Sequence, residues 1–305
     1  MVLYDVIIVG GGPAGMTAGL YAARAGLKAV LLEGVFAGGQ AAVTDTIGNY
    51  PGFPEGVGGP ELMARFSDQA ERAGLEIRYD GATALSLDGD VKSAVAGGEI
   101  VEGRTMILAM GATRRKLGVP GENELGGHGV SYCATCDGPL YRGKRVAVVG
   151  GGYSAVEDAT FLRRIARVTL IHRRPQLRAQ GREASELLTD PSIERRLGYT
   201  VSSIEKAPVG LKLNLRDMAG DEVGALPVDG VFVAVGTEPN TELVAGQLAL
   251  DEHGYIPCGE DTITAIPGVF AAGDIRKKPL KQVVTAVSDG AVAAFAAGQY
   301  LIERG

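Results

Sequence analysis

The sequence predicts an α/β fold of two Rossmann-like, three-layer domains, the second inserted within the first. Three observations carry this. A β-branched run, a glycine turn and a helical stretch follow one another at the N-terminus. The same phrase returns at Arg145. Two further apolar runs, each ending at a glycine, stand where the chain would cross between domains. A length of 305 residues agrees with two domains of roughly 150 residues each.

The first phrase opens with Asp5–Val9, the β-branched run of a buried parallel strand. Gly10-Gly-Gly-Pro-Ala-Gly15 follows, then a helix over Met16–Ala25 closed by Gly26, and a strand Ala29–Leu32 ending at Glu33. The spacing G-x-G-x-x-G between strand and helix, with an acidic residue 18 positions past the third glycine, describes a dinucleotide site. Gly10 permits the tight turn, Gly12 lets the backbone approach a pyrophosphate, and Gly15 allows close helix–strand packing. The helix N-terminus meets the phosphate charge, and Glu33 accepts hydrogen bonds from a ribose.

The second phrase consists of the strand Arg145–Val149, the turn Gly150-Gly-Gly-Tyr-Ser-Ala155, a helix Val156–Arg164 and the strand Val168–Ile171. Gly10 to Glu33 and Gly150 to Arg173 are both separated by 23 residues, so the two units align without a gap. Where the first offers a carboxylate, the second offers His172-Arg173-Arg174, with Arg178 beyond. Guanidinium groups bind a 2′-phosphate that a carboxylate would repel. The first site is therefore read as an adenine dinucleotide with a free ribose, and the second as NADP.

Between and after these units the chain supplies Gly38-Gly39-Gln40, Gly48-Asn-Tyr-Pro-Gly-Phe53 and the buried strand Thr105–Ala112. Later come Asp229–Gly236, the turn Gly268–Asp274 and a helix from about Gln282. Linkers are expected near 113–116 and 237–241. This accounts for part of a glycine content of 46 residues, about twice the ordinary share. A net charge of −6 speaks against nucleic acid or an anionic membrane surface as the main partner. No apolar run reaches the length of a membrane span. The run entered at Tyr4 shows no basic region or cleavage site, so no secretion signal is expected and the cytoplasm is the default.

Cys133-Ala-Thr-Cys136-Asp137 precedes the second phrase. A structural zinc site wants four ligands. One pair, a distant Cys258 and the scattered His128, His172 and His253 do not supply them, so no metal is expected. A redox dithiol is the better reading, because the motif lowers a thiol pKa and closes readily into a disulfide. Asp137 either exchanges a proton with the thiolate or simply starts the turn Asp137-Gly138-Pro139. Cys258 is read as an inert small residue.

With GGGPAG at the start, GGQ at 38–40, NYPGF at 49–53, CATCDG at 133–138, GGGYSAVEDA at 150–159, HRR at 172–174 with Arg178, and PGVFAAGD at 267–274, the chain resembles a known family over essentially its whole length. It is similar to the low-molecular-weight, bacterial-type thioredoxin reductases, FAD- and NADPH-dependent pyridine nucleotide-disulfide oxidoreductases. The resemblance implies FAD held by Gly10, Gly12, Pro13, Ala14, Gly15, Glu33, Gly39, Gln40, Asn49, Gly273, Asp274, Gln282 and Val283. It implies NADPH held by Gly150, Gly152, Ser154, Ala155, His172, Arg173, Arg174 and Arg178. The domains become 1–112 and 242–305 for FAD, with 113–241 for NADPH and the dithiol. Catalysis falls to Cys133, Cys136 and Asp137, with electrons passing from NADPH to FAD to the Cys133–Cys136 disulfide to the disulfide of thioredoxin or a thioredoxin-like protein.

Cys136 would face the flavin, Cys133 would attack the partner, and the inserted domain would rotate about its two linkers between the steps. A homodimer is implied, with Ala291–Leu301 as one contact or, equally, a core face. Relatives carry an aromatic pair after CDG and a basic residue before the dithiol, whereas Pro139-Leu140 and His128 stand here, with Tyr132 before the first cysteine. Asp137-Gly-Pro-Leu-Tyr141 is similar instead to the flavoprotein that reduces peroxiredoxins. A glutaredoxin-like or peroxiredoxin-linked adaptor is therefore the alternative partner. Ferredoxin is the alternative electron donor, against which the arginines argue.

Overall fold

Val6, Ile7, Ile8 and Val9 are all fully or nearly fully buried, so their strand needs cover on both faces. The computed structural model, which describes residues 2–34, 38–44 and 46–304, supplies it. The chain forms two units, Met1–Thr113 with Glu238–Gly305, and Arg114–Thr237.

The first unit is built on a sheet of β1 (Leu3–Val9), β2 (Ala29–Leu32), β3 (Glu76–Arg78), β4 (Ala82–Ser86), β5 (Lys92–Ala96), β6 (Glu99–Leu108) and the late strand β17 (Val269–Ala271). Its order is β3-β2-β1-β6-β5-β4, with β17 also on β6. The pairs of β1 with β2 and β6 are parallel, and those of β4 with β5 and β5 with β6 are antiparallel. Alternation along β1 separates two cores. Val6 and Ile8 join α1 (Pro13–Arg24), α3 (Gly59–Arg72) and α7 (Val283–Glu303), while Ile7 and Val9 join Leu85, Val244 and Ile256 on the other face. Each such buried aliphatic side chain contributes about 1.5–3 kcal/mol by leaving water.

α1 starts at Pro13, three residues earlier than expected, because proline suits the first helical position, where no N–H partner is needed. α7 lies along α1 through Ala14, Ala18, Ala293, Ala294 and Ala297, all buried. A Cβ on Gly290 would come 2.1 Å from the Ala14 carbonyl oxygen, so α7 has no room there for any side chain.

The short strands β7 (Ala112–Arg114) and β16 (Thr237–Pro239) mark the two crossings and pair with each other. Between them, the second unit has a parallel sheet of β8 (Val130–Ser131), β9 (Arg145–Val149), β10 (Arg167–His172), β11 (Ile193–Leu197) and β15 (Gly230–Val233), ordered β11-β10-β9-β15-β8. Val146 and Val148 pack with α5 (Tyr153–Leu162) and α6 (Arg182–Thr189). Ala147 and Val149 pack with an antiparallel sheet of β12 (Thr200–Lys206), β13 (Leu211–Arg216) and β14 (Glu222–Val228). The one-turn helices α2 (Gly39–Ala42) and α4 (Ala134–Asp137) each begin beside a predicted site residue.

The two glycine units do not align without a gap. Val9 pairs with Leu32, but Val149 pairs with Ile171, and the N–H of Gly10 and of Gly150 donate to Leu32 O and Ile171 O, each at 2.9 Å. The return path is one residue shorter in the second unit, where α5 has 10 residues against 12 in α1. His172, not Arg173, therefore stands where Glu33 stands.

Gly290→Ala should destabilise the protein by about 1–3 kcal/mol, the cost of overfilling a tight contact. Urea unfolding checks this, and an unchanged midpoint would show that α7 can move away.

Candidate functional site

Gly10 holds φ +102°, where a Cβ would lie 2.6 Å from Ala109 O, and a Cβ on Gly15 would lie 1.8 Å from Gly10 O. These contacts force the chain straight from β1 into α1 and leave Gly12 open, with nothing near its missing side chain. No side chain caps the first turn of α1, so its amides face an open backbone cradle. Glu33 is buried beside it and accepts from Gly34 N–H at 2.8 Å and Gly38 N–H at 3.3 Å. Burial pushes its carboxyl up, and bonds from the Gly34, Gly38 and Gly11 amides pull it down.

Gly39 lies against the same loop, 3.3 Å from Gly12 Cα for a notional Cβ. Gly273, at φ +80°, comes closer still to Ala14, its notional Cβ 2.9 Å from Ala14 Cβ. Gly12, Ala14, Gly39 and Gly273 are thus brought together. Asn49 Nδ2 donates to Oε1 of Gln282, the cap of α7, at 2.9 Å, and Val283 is the first residue of that helix. Gln40 is exposed in α2, and Asp274 occupies a single 3₁₀ turn over Gly273–Ile275.

Three residues here escaped the sequence reading. Asp289, buried in α7, accepts from Gly273 N–H at 2.9 Å, Arg276 Nη1 at 2.9 Å and Lys278 Nζ at 2.7 Å. One signal for it existed, a lone carboxylate within an otherwise apolar helical run. Such a charge stays buried only when paired and hydrogen-bonded.

In the second unit a Cβ on Gly152 would meet only Arg178 Nη2, at 3.2 Å. The loop is fastened from behind, because Arg178 N–H and Ala179 N–H both donate to Gly151 O. Ala155 is buried and Ser154 exposed at the start of α5. The His172 ring lies over Gly151, 2.3 Å from a notional Cβ. Its Nε2 is buried with no hydrogen-bond partner among the described residues. Burial lowers the imidazole pKa, and Arg178, Arg173 and Arg174 lower it further. These three arginines are exposed, and none has an ion-pair partner among the described residues. An open cradle, an unpartnered imidazole and free guanidinium groups fit a phosphorylated dinucleotide.

Cys133 and Cys136 form a disulfide, with Cα atoms 5.3 Å apart. Cys133 caps α4, its Sγ accepting from Cys136 N–H at 3.2 Å. Asp137 ends α4 and accepts from Ser131 Oγ at 2.5 Å, while Cys133 N–H donates to that same Oγ at 3.1 Å. Tyr132 donates to Glu122 at 2.9 Å, and Glu122, itself buried, also accepts from Leu117 and Gly118 N–H. Burial and then Glu122 push the Tyr132 hydroxyl pKa upward. Cys258 packs at the edge of the second core of the first unit, its thiol raised by burial. No cluster able to hold a metal occurs among the described residues, and no helix there is long and apolar enough to cross a membrane.

Two dinucleotide cradles and a cystine define a class of redox protein, and comparison places the chain in it. Residues 4–290 match the model of the pyridine nucleotide-disulphide oxidoreductases, and the chain belongs to that family. Within it, the chain is 46% identical over 304 residues to the thioredoxin reductase of Mycolicibacterium smegmatis, covering 99% of this chain and 98% of that one. It is 44% identical to the bifunctional thioredoxin reductase/thioredoxin of Mycobacterium leprae, over 99% of this chain and 67% of the other. The crystal structure of thioredoxin reductase from Streptococcus pyogenes superposes with a TM-score of 0.92 at 38% identity, covering 99% of each chain.

Behind the second loop, burial pushes the Asp158 carboxyl of α5 up to about 6 from 3.8, with Arg114 opposing and Glu157 adding. Between those values the folded state keeps a proton that the unfolded chain has lost, so stability falls as pH rises through the window. The fall should be on the order of 2–3 kcal/mol. Asp158→Asn should flatten it. Urea unfolding of both proteins from about pH 4 to about pH 7 checks this, and a pH-independent difference between them would refute it.

Proposed function

We propose that the protein is an NADPH-dependent thioredoxin reductase, passing electrons from NADPH through FAD and the Cys133–Cys136 disulfide to the disulfide of thioredoxin. The observation that carries this reading is the cystine at the start of α4, in the unit that also bears the second glycine loop. The relative from Mycobacterium leprae combines both activities under one name, which supports thioredoxin as the partner.

FAD would be held by Gly10, Gly12, Pro13, Ala14, Gly15, Glu33, Gly39, Gln40, Asn49, Gly273, Asp274, Gln282 and Val283. NADPH would be held by Gly150, Gly152, Ser154, Ala155, His172, Arg173, Arg174 and Arg178. When bound, the two supply hydride transfer and its onward delivery as an electron pair. The FAD unit is taken as 1–112 with 242–305, and the NADPH unit as 113–241.

The chain's own chemistry is thiol exchange. Two electrons and two protons open the cystine to two thiols, Asp137 exchanging a proton with the Cys136 sulfur. The Cys133 thiolate, stabilised by the Cys136 amide, attacks one partner sulfur and releases the other as a thiolate that takes up a proton. The Cys136 thiolate then attacks Cys133 in the mixed disulfide, frees the second partner thiol and restores the cystine.

A second reading of the partner draws on the 3₁₀ turn Gly138–Tyr141, which holds Leu140 69% exposed. That apolar tip follows the dithiol directly and suits a glutaredoxin-like or peroxiredoxin-linked adaptor. As expected of NADPH-fed dithiol chemistry, we place the protein in the cytoplasm. We also read it as a homodimer, since Phe295 and Ile302 of α7 and Tyr21 of α1 are apolar yet exposed. Part of the stripe 291–301 is core all the same, because Ala293, Ala294 and Ala297 are buried.

In Cys136→Ser, NADPH should still bleach the flavin absorbance while thioredoxin reduction falls to background. Full turnover would sink the proposed order of the cysteines, and a flavin that NADPH fails to bleach would return the ferredoxin alternative. Phe295→Asp should sediment as a monomer where the wild type sediments as a dimer. A monomeric wild type would overturn the assembly.

A further inference from the structure

We propose that Ser131 is a positioning residue for thiol–disulfide exchange, its hydroxyl holding the Asp137 carboxylate against the dithiol while it holds the amide of Cys133. This rests on the reading of Asp137 as the group that handles the proton.

Ser131 is the last residue of β8, 5% exposed, and its register with Phe232 ties it to the parallel sheet of the second unit. Its Oγ donates to Asp137 Oδ2 at 2.5 Å and accepts from Cys133 N–H at 3.1 Å. Cys133 O is a competing acceptor at 3.4 Å. A hydroxyl carries one hydrogen, and the short bond to a carboxylate is the stronger of the two. Asp137 N–H closes the figure by donating to Cys133 O at 3.1 Å.

The result is a ring of bonds, Ser131–Cys133–Asp137, that includes one of the disulfide's two residues and is fastened to the sheet at one corner. Asp137 follows Cys136 directly, so with no other anchor its side chain could turn away from both sulfurs. A buried hydroxyl costs free energy unless it is bonded. Both of these bonds end on the exchange segment. Cys133 changes partner twice in each cycle, and Ser131 is bonded both to its amide and to the proton-handling carboxylate.

The test is a double-mutant cycle in the holoenzyme with Ser131→Ala, Ser131→Thr, Asp137→Asn and the Ser131→Ala/Asp137→Asn pair. Ser131→Ala should lower kcat about tenfold or more, within the range of a misplaced acid–base group. The loss should be the same for thioredoxin and for a small neutral disulfide, with KM for thioredoxin and the rate of flavin bleaching by NADPH unchanged. Ser131→Thr keeps the hydroxyl and should restore most of kcat. In the reduced enzyme, the pH profile of Cys133 alkylation by iodoacetamide should change in the same way for Ser131→Ala and Asp137→Asn. The pair should be no slower than Asp137→Asn alone.

A Ser131→Ala enzyme with wild-type kcat and alkylation profile overturns the proposal. So does a serine effect undiminished in the Asp137→Asn background. If Ser131→Ala fails to retain flavin, Ser131→Thr and Ser131→Cys decide, the first expected active and the second slow. If Asp137→Asn alone has wild-type kcat, the underlying reading of Asp137 fails, whatever the serine does.

Discussion

The structure depends on one steric constraint, met twice: a strand must turn into a helix so tightly that no side chain fits between them. In the first unit a Cβ on Gly15 would overlap the carbonyl oxygen of Gly10. In the second, a Cβ on Gly150 would lie 2.2 Å from Ala234 O and 2.8 Å from Ala155 Cβ. Because that space is denied to side chains, each helix starts beside its strand with its first amides bare. Everything near the first loop follows the same economy of volume. Gly39, Gly273 and Gly290 bring further backbone within touching distance of Gly12, Ala14 and α1, and α7 packs on alanines rather than on larger residues.

What stands over the second glycine of each loop then decides the chemistry. Glu33 fills that place over Gly11, and His172 fills it over Gly151. Burial raises the Glu33 carboxyl pKa, and hydrogen bonds from the Gly34, Gly38 and Gly11 amides work against that rise. Burial and three neighbouring arginines lower the pKa of the imidazole. On the proposed assignment, a cradle with Arg173, Arg174 and Arg178 nearby would attract a further phosphate, whereas one edged by Glu33 would repel it. One backbone design would thus serve two nucleotides through a change of side chains at the strand end.

Much of this was legible in the sequence, and the exceptions have physical causes. The strands Ala29–Leu32 and Arg145–Val149 read correctly to the residue because fully buried parallel strands are continuous apolar runs. The end of α1 was marked by Gly26, but α5 stops at Leu162 and is followed by Arg163-Arg164-Ile165-Ala166, which carries no stop signal. The missing residue in the return path was therefore invisible, and Arg173 was given a station that belongs to His172. Ser131 and the Asp289–Arg276–Lys278 group also escaped. Their partners are brought together by the fold rather than by spacing, and a serine before a C-x-x-C motif looks like any other strand end.

The dithiol shows why such polar contacts gather where they do. A sulfur that must be attacked from solvent cannot be fixed by burying it, and Cys133 and Cys136 are only half-buried. Its segment has to be held through its neighbours. Tyr132 is tied through Glu122 to the amides of Leu117 and Gly118, and Ser131 is tied to Asp137 and to the sheet. These anchors lie on consecutive residues, Ser131 at the end of β8 and Tyr132 directly after it. The backbone entering Cys133 is therefore held at two successive residues, while its sulfur meets the Cys136 amide, the hydroxyl of Thr135 and its disulfide partner. On the proposed exchange chemistry, firm anchorage of the backbone before Cys133 and a sulfur only half-buried suit a thiol that would be presented in one geometry and exchange partners.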